Sequence, residues 1–168
     1  MTASYQDLKN AKVLVTGGAS GIGAAVVRAF CLQGADVAFI DIDRASAEQL
    51  VRDIVDEGGV APLFRHFDLS DLAMIKETVQ ALSDELGRFT VLVNNAASDN
   101  RHSPETLTPE SWQQRLDINV GQQFFCAQAV VEGMRSAGGG SIINFGSVSY
   151  SMALPELTAY STSKAAVV

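Results

Sequence analysis

The chain has 168 residues, long enough for one domain with a sizeable core; 47% are hydrophobic and 18% charged, a balance that argues against disorder. A net charge of −7, with Lys and Arg scattered rather than clustered, gives no surface for nucleic acid. No segment approaches the ~18 uninterrupted apolar residues of a membrane span, and residues 1–10 lack the basic start and apolar centre of a signal peptide. The expected compartment is therefore the cytoplasm.

Strand-like and helix-like segments alternate along the chain. Residues 12–16 form a short apolar run that meets a glycine cluster, Thr16-Gly17-Gly18-Ala19-Ser20-Gly21-Ile22-Gly23. Residues 21–33 predict a helix, with Ile22, Ala25, Val26, Ala29 and Phe30 at helical spacing and Gly34 as its stop. Residues 36–40 predict a second strand that ends at Asp41. Asp43 is placed to cap a helix running to about residue 57 and closed by Gly58-Gly59. A third strand is expected over residues 60–67, before Asp68. A helix follows over residues 70–86, with Leu72, Ile75, Val79 and Leu82 on one face and Gly87 behind it. Residues 90–93 predict a fourth strand, ending at Asn94-Asn95.

Thr108-Pro109-Glu110 joins a capping hydroxyl to proline at the first helical position, a strong helix start. One long helix is expected from there to about residue 136, where Gly138-Gly139-Gly140 ends it. Residues 141–145 predict a fifth strand, followed by a loop rich in Ser and Gly and a further helix from about residue 158.

Strands joined by helices imply right-handed crossovers and a parallel sheet covered on both faces, a doubly wound α/β fold in one domain over residues 1–168. The apolar strand runs lack alternation, as strands buried on both faces do. In such folds ligands bind outside the carboxyl ends of the strands, and every unusual cluster in this sequence sits at one of those ends.

The glycine cluster lies between a strand and a helix, where backbone N–H groups can approach an anion at a helix N-terminus. Its spacing departs from G-x-G-x-x-G, since three residues separate Gly17 from Gly21. Asp41 follows Gly23 by 18 residues, and a carboxylate there accepts from a ribose diol and repels a 2′-phosphate. NAD is therefore favoured over NADP. Asp68-Leu69 ends the third strand, where it would receive an adenine amino group or simply make a turn. Tyr160 and Lys164 lie four apart, on one face if helical, and an ammonium beside a phenol favours the phenolate. The two cysteines, Cys31 and Cys126, sit in apolar helix-like stretches and predict buried thiols, with no metal site.

Together Thr16 to Gly23, Asp68, Asn94-Asn95-Ala96, Asn119, Ser147, Tyr160 and Lys164 resemble the short-chain dehydrogenase/reductase family over essentially the whole chain. The resemblance implies a Rossmann-type fold, a nicotinamide cofactor and a homo-oligomer. It implies that Gly17, Ser20, Gly21, Ile22, Gly23, Asp41, Asp68, Leu69, Asn95, Tyr160 and Lys164 hold the cofactor. It assigns Tyr160 as general base, Lys164 as its charge partner and a ribose ligand, and Ser147 as the holder of the reacting oxygen. Asn119 would help hold a water between Lys164 and solvent.

Ala97 departs from the glycine usual after Asn-Asn-Ala, so a slightly different turn is expected there. The stretch from Asn95 to His102, with Ile143-Asn144-Phe145-Gly146-Ser147, resembles bacterial members that oxidise aldoses at C1 to lactones with NAD. A small-molecule substrate, a sugar, is the leading reading. A reductase of 3-oxoacyl thioesters or other small carbonyls and a non-catalytic nucleotide-binding module are the alternatives. The loop Asp99-Asn100-Arg101-His102 either hydrogen-bonds sugar hydroxyls or is solvated surface. His102 has no flanking ligands for a metal, and Trp112 reads as packing.

Residues 160–168 carry no helix stop, and family members continue through two further strands and a substrate-covering segment. The expectation is a longer chain whose remainder completes the pocket, with these residues alone binding NAD weakly and turning over little.

Overall fold

The computed structural model describes residues 4–152 and 154–168. The reading of residues 1–10 thus falls partly on residues 1–3, outside the described residues. Five strands, β1 (Lys12–Thr16), β2 (Asp36–Asp41), β3 (Leu63–His66), β4 (Val91–Asn94) and β5 (Ser141–Asn144), form one parallel sheet in the order β3-β2-β1-β4-β5. The helices are α1 (Gly21–Leu32), α2 (Arg44–Asp56), α3 (Ile75–Leu86), α4 (Pro109–Leu116), α5 (Gln122–Ser136) and α6 (Thr158–Ala165). This is the parallel α/β sheet expected from the alternation of the sequence, in the Rossmann-like form that the resemblance implies.

Successive residues of β1 to β4 feed opposite faces, and both faces are apolar. Val13, Val15, Val37, Phe39 and Val93 pack under α1 and α2 with Val27, Cys31, Leu50 and Ile54. Leu14, Ala38, Ile40 and Leu92 pack on the other face with Ile75, Val79, Leu82, Cys126 and Val130 of α3 and α5. Two cores sharing one sheet explain why the strand sequences carry no polar alternation. Register pins Thr16 beside Ile40 and Asn94, so the functional loops leave the sheet side by side.

Helix starts follow local chemistry. Asp43 accepts from Ser46 N–H at 3.1 Å, and Thr108 from Ser111 N–H at 3.2 Å, as their sequence positions predict.

Three elements differ from expectation. β3 begins at Leu63 rather than residue 60, because Pro62 has no N–H for the ladder and the Val60 N–H goes to the Cys31 carbonyl. The helix expected from residue 70 begins as a short 3₁₀ turn, Leu72–Met74, after Asp68 accepts from Ser70 N–H at 2.9 Å. The long helix from Thr108 is interrupted by a π turn, Asp117–Gly121, between α4 and α5. The Asn119 side chain donates to the Arg115 carbonyl at 2.9 Å, competing with the backbone for that acceptor, while the Gln122 N–H reaches back to Asp117. At the opposite sheet edge from β3, all four β5 residues are exposed.

Candidate active site

The carboxyl ends of β1 and β4 are tied together before any ligand is considered. Asn95 donates from Nδ2 to the carbonyls of Thr16 (3.1 Å) and Gly17 (2.8 Å), while Thr16 Oγ1 accepts from the N–H groups of Asn95 and Ala96, both at 3.0 Å. Gly17 turns the chain at φ +66°, and a Cβ on it would meet the Ala96 Cα at 2.8 Å. A Cβ on Gly23 would lie 1.9 Å from the Gly17 carbonyl oxygen, so α1 abuts the turn through bare backbone. Ser20 makes no side-chain cap to α1, which leaves first-turn N–H groups available to an anion.

Asp41 buttresses the same loop, its carboxylate accepting from Ala19 N–H and Asp43 N–H, both at 2.9 Å. A cleft of about 540 Å³ opens here, walled by Gly17, Ser20, Ile22, Gly23, Asp41, Asp68, Leu69 and Asn95 among the predicted residues. Gly21, also predicted to hold cofactor, is not in this wall; it starts α1 at φ +53°, and a Cβ added to it would meet nothing within 4 Å. Ile42, Phe67 and Ile118 add apolar wall, and none of the described residues lining the cleft is Lys or Arg. Amide donors, a carboxylate and an apolar slot fit a dinucleotide's diphosphate, ribose and adenine. Ala97 keeps its turn without strain, since Asn10 and Glu156 are the described non-glycine residues at positive φ.

Tyr160 and Lys164 sit on α6, with Lys164 Nζ 5.7 Å from the Tyr160 ring centroid. Lys164 is 1% exposed and donates to the Phe145 carbonyl at 2.7 Å, just past β5. Burial penalises its charged form and pushes the ammonium below its ordinary pKa. Ser147 starts the short turn Val148–Tyr150, its Oγ accepting from Ser149 N–H at 3.2 Å, and that turn packs on α6. These three residues lie outside the wall of the 540 Å³ cleft.

Asn119 is buried, its Oδ1 accepting from Ser98 N–H (2.8 Å) and its Nδ2 donating to the carbonyls of Ser98 and Arg115 (both 2.9 Å). Its side chain thus clamps the loop after β4 rather than projecting free, and a water-holding role would have to use its backbone. Gln122, which sequence reasoning passed over, holds the next turn of that loop by donating to the Ala96 carbonyl at 3.0 Å. Arg101 and His102 point at residues 155–159. Among the described residues, no cluster of three or more His, Cys, Asp or Glu could hold a metal, and no helix is long and apolar enough to cross a membrane.

A glycine-lined cleft at the carboxyl ends of a doubly wound sheet defines the class of dinucleotide-binding α/β domains. The chain belongs to the short chain dehydrogenase family, whose profile matches residues 11–168. A probable galactose dehydrogenase of Rhizobium meliloti (strain 1021) is 44% identical over 167 residues, covering 99% of this chain and 65% of that relative. A D-xylose 1-dehydrogenase of Caulobacter vibrioides is 39% identical over 166 residues, covering 99% and 65%. The chain thus spans 65% of the length of these curated relatives. Among solved structures, a metagenomic short-chain oxidoreductase in complex with NADP superimposes with a TM-score of 0.87 at 30% identity, covering 94% of this chain and 71% of that one. A short-chain dehydrogenase/reductase from Burkholderia xenovorans gives 0.88 at 27% identity, covering 97% and 66%.

Proposed function

We propose that this protein oxidises an aldose at C1 to a lactone with NAD. The observation that carries the reading is the buried Lys164 held against the Tyr160 ring at the carboxyl edge of the sheet. Tyr160 takes the proton of the C1 hydroxyl, and the Lys164 ammonium stabilises the phenolate that does so. Ser147, both donor and acceptor, holds the reacting oxygen. NAD, when bound, supplies the acceptor for the hydride that leaves C1. The backbone around Gly17, Ser20, Ile22 and Gly23 would receive the diphosphate, Asp41 the adenosine ribose, and Asp68 with Leu69 the adenine. Asn95 keeps the turn under the cofactor in place.

The choice of NAD rests on Asp41 at the cleft and on the lack of a lining cation to meet a 2′-phosphate. The sugar is supported by the galactose and xylose dehydrogenases among the relatives. By family resemblance the protein works as a homo-oligomer.

A panel of free pentoses and hexoses, assayed for NADH and NADPH formation with the full-length protein, tests this. NADH should appear with at least one aldose, and silence across the panel removes the sugar. Tyr160→Phe should abolish turnover while leaving NAD affinity within about twofold; substantial residual turnover contradicts its role as base.

A further inference from the structure

The helix that carries Tyr160 and Lys164 has no cap of its own. Its N-cap is Leu157, whose side chain cannot accept a hydrogen bond, so the first-turn N–H groups need partners from elsewhere. One of them, on the fully buried Ala159, donates to His102 Nε2 at 3.2 Å, 57 residues away in sequence. An N–H can only donate, so Nε2 is the bare nitrogen of the ring. Nδ1 then carries the proton, and it lies 3.2 Å from the Asn100 carbonyl, a matching acceptor.

The same carbonyl accepts from Arg115 of α4 at 2.7 Å. Beside it the His102 N–H donates to the Glu156 carbonyl (3.0 Å), and Arg101 donates to that of Pro155 (3.1 Å). Glu156 holds φ +62°, a left-handed conformation that the surrounding bonds must sustain. The loop after β4 is therefore bolted to the approach of α6 at three points, and the imidazole is the only one of them that reaches the helix itself.

We propose that His102 is a positioning residue. Its neutral imidazole caps α6 at Ala159 and so sets the place of Tyr160, the next residue, relative to the cofactor cleft. This assigns to His102 a task other than contact with substrate, and it rests on the reading of Tyr160 as the base.

His102→Ala leaves a buried N–H unpaired and frees the first turn of α6. His102→Gln retains an oxygen that can stand where Nε2 stands, without a ring to ionise. In the full-length protein, His102→Ala should lower kcat about tenfold or more, with KM for NAD and for the aldose within about twofold. His102→Gln should restore kcat to within about threefold. Amide hydrogen exchange over residues 159–164, measured without substrate, should speed up in the Ala variant and return towards the parent rate in Gln.

A raised KM for the aldose with kcat intact would make His102 a substrate contact and overturn the proposal. So would equal loss in Ala and Gln, or unchanged exchange in Ala. If the parent oxidises no aldose yet exchange responds as described, the capping stands and the sugar reading alone falls.

Discussion

Gly23→Ala puts a methyl group where the backbone of the glycine turn already lies. The new Cβ would sit 1.9 Å from the Gly17 carbonyl oxygen and 2.6 Å from Asn95 Nδ2. Ordinary contact begins at 3.4 Å, so α1 or the turn must retreat by roughly 1.5 Å. Neither can do so freely, because Asn95 bonds the Gly17 carbonyl at 2.8 Å and the Gly17 N–H bonds the Ile40 carbonyl at 2.8 Å. Overpacking of this kind costs about 1–3 kcal/mol in stability. If the displaced turn no longer presents its amides to a diphosphate, NAD affinity should fall at least about tenfold, or ~1.4 kcal/mol. Gly21→Ala is the control. Its Cβ meets nothing within 4 Å, and the cost is limited to placing alanine at φ +53°, about 1 kcal/mol. Urea unfolding and isothermal titration with NAD on both variants separate the two effects. If Gly23→Ala binds NAD like the parent, or if the two variants behave alike, close backbone approach is not what builds this cleft.

Asp41→Asn is nearly isosteric but removes the charge and one of two acceptor oxygens, leaving either the Ala19 or the Asp43 N–H without its side-chain acceptor. NAD affinity should drop about tenfold and the NAD-to-NADP preference should narrow, since hydrogen bonds to charged groups contribute about 1.5–3 kcal/mol; an unchanged ratio of dissociation constants would remove Asp41 from cofactor choice. Lys164 is held below the ordinary ammonium value of 10.5 by burial. In the window between its folded value and 10.5 the unfolded chain binds the extra proton, so stability should rise with pH there. Lys164→Met should flatten that rise in urea melts taken at a series of alkaline pH values, and equal slopes in parent and variant would contradict it. The Cys31 thiol is pushed up to about 12 by burial and then by the Asp36 charge, and Cys126 to about 12 by burial. Neither should react with a thiol reagent at neutral pH in the native protein, while both should do so in urea; rapid native labelling would show that one of the helices opens.

Much of the scaffold is readable from the sequence because its signals are local. Thr108-Pro109 and Asp43 mark helix starts through groups that bond two or three residues away, and the apolar runs of β1, β2 and β4 need only neighbours on both faces. Pro62 was equally local, and its missing N–H explains why β3 is shorter than its apolar run. Long-range partners are another matter. Asn119 reads as a poor helix former, yet its amide matches the backbone of Ser98, 21 residues away. Nothing in the helical periodicity predicts the π turn that presents it. Eight of the residues predicted to hold cofactor line the cleft, whereas Gly21 serves the turn into α1, Tyr160 and Lys164 lie outside the wall, and the apolar wall of Ile42, Phe67 and Ile118 carried no motif. The capping role of His102 had one faint signal, a leucine where a helix wants a hydroxyl or carboxylate.

The bracket of Thr16 and Asn95 gives the cleft a floor of fixed gauge. Four hydrogen bonds span β1 and β4 there, all made by the chain itself. Asp41 and Ile42 stand instead at the rim, where Ile42 is largely open to solvent. Retuning which nucleotide enters is therefore work for the rim, since changes to the floor would cost the sheet its alignment before they altered any preference.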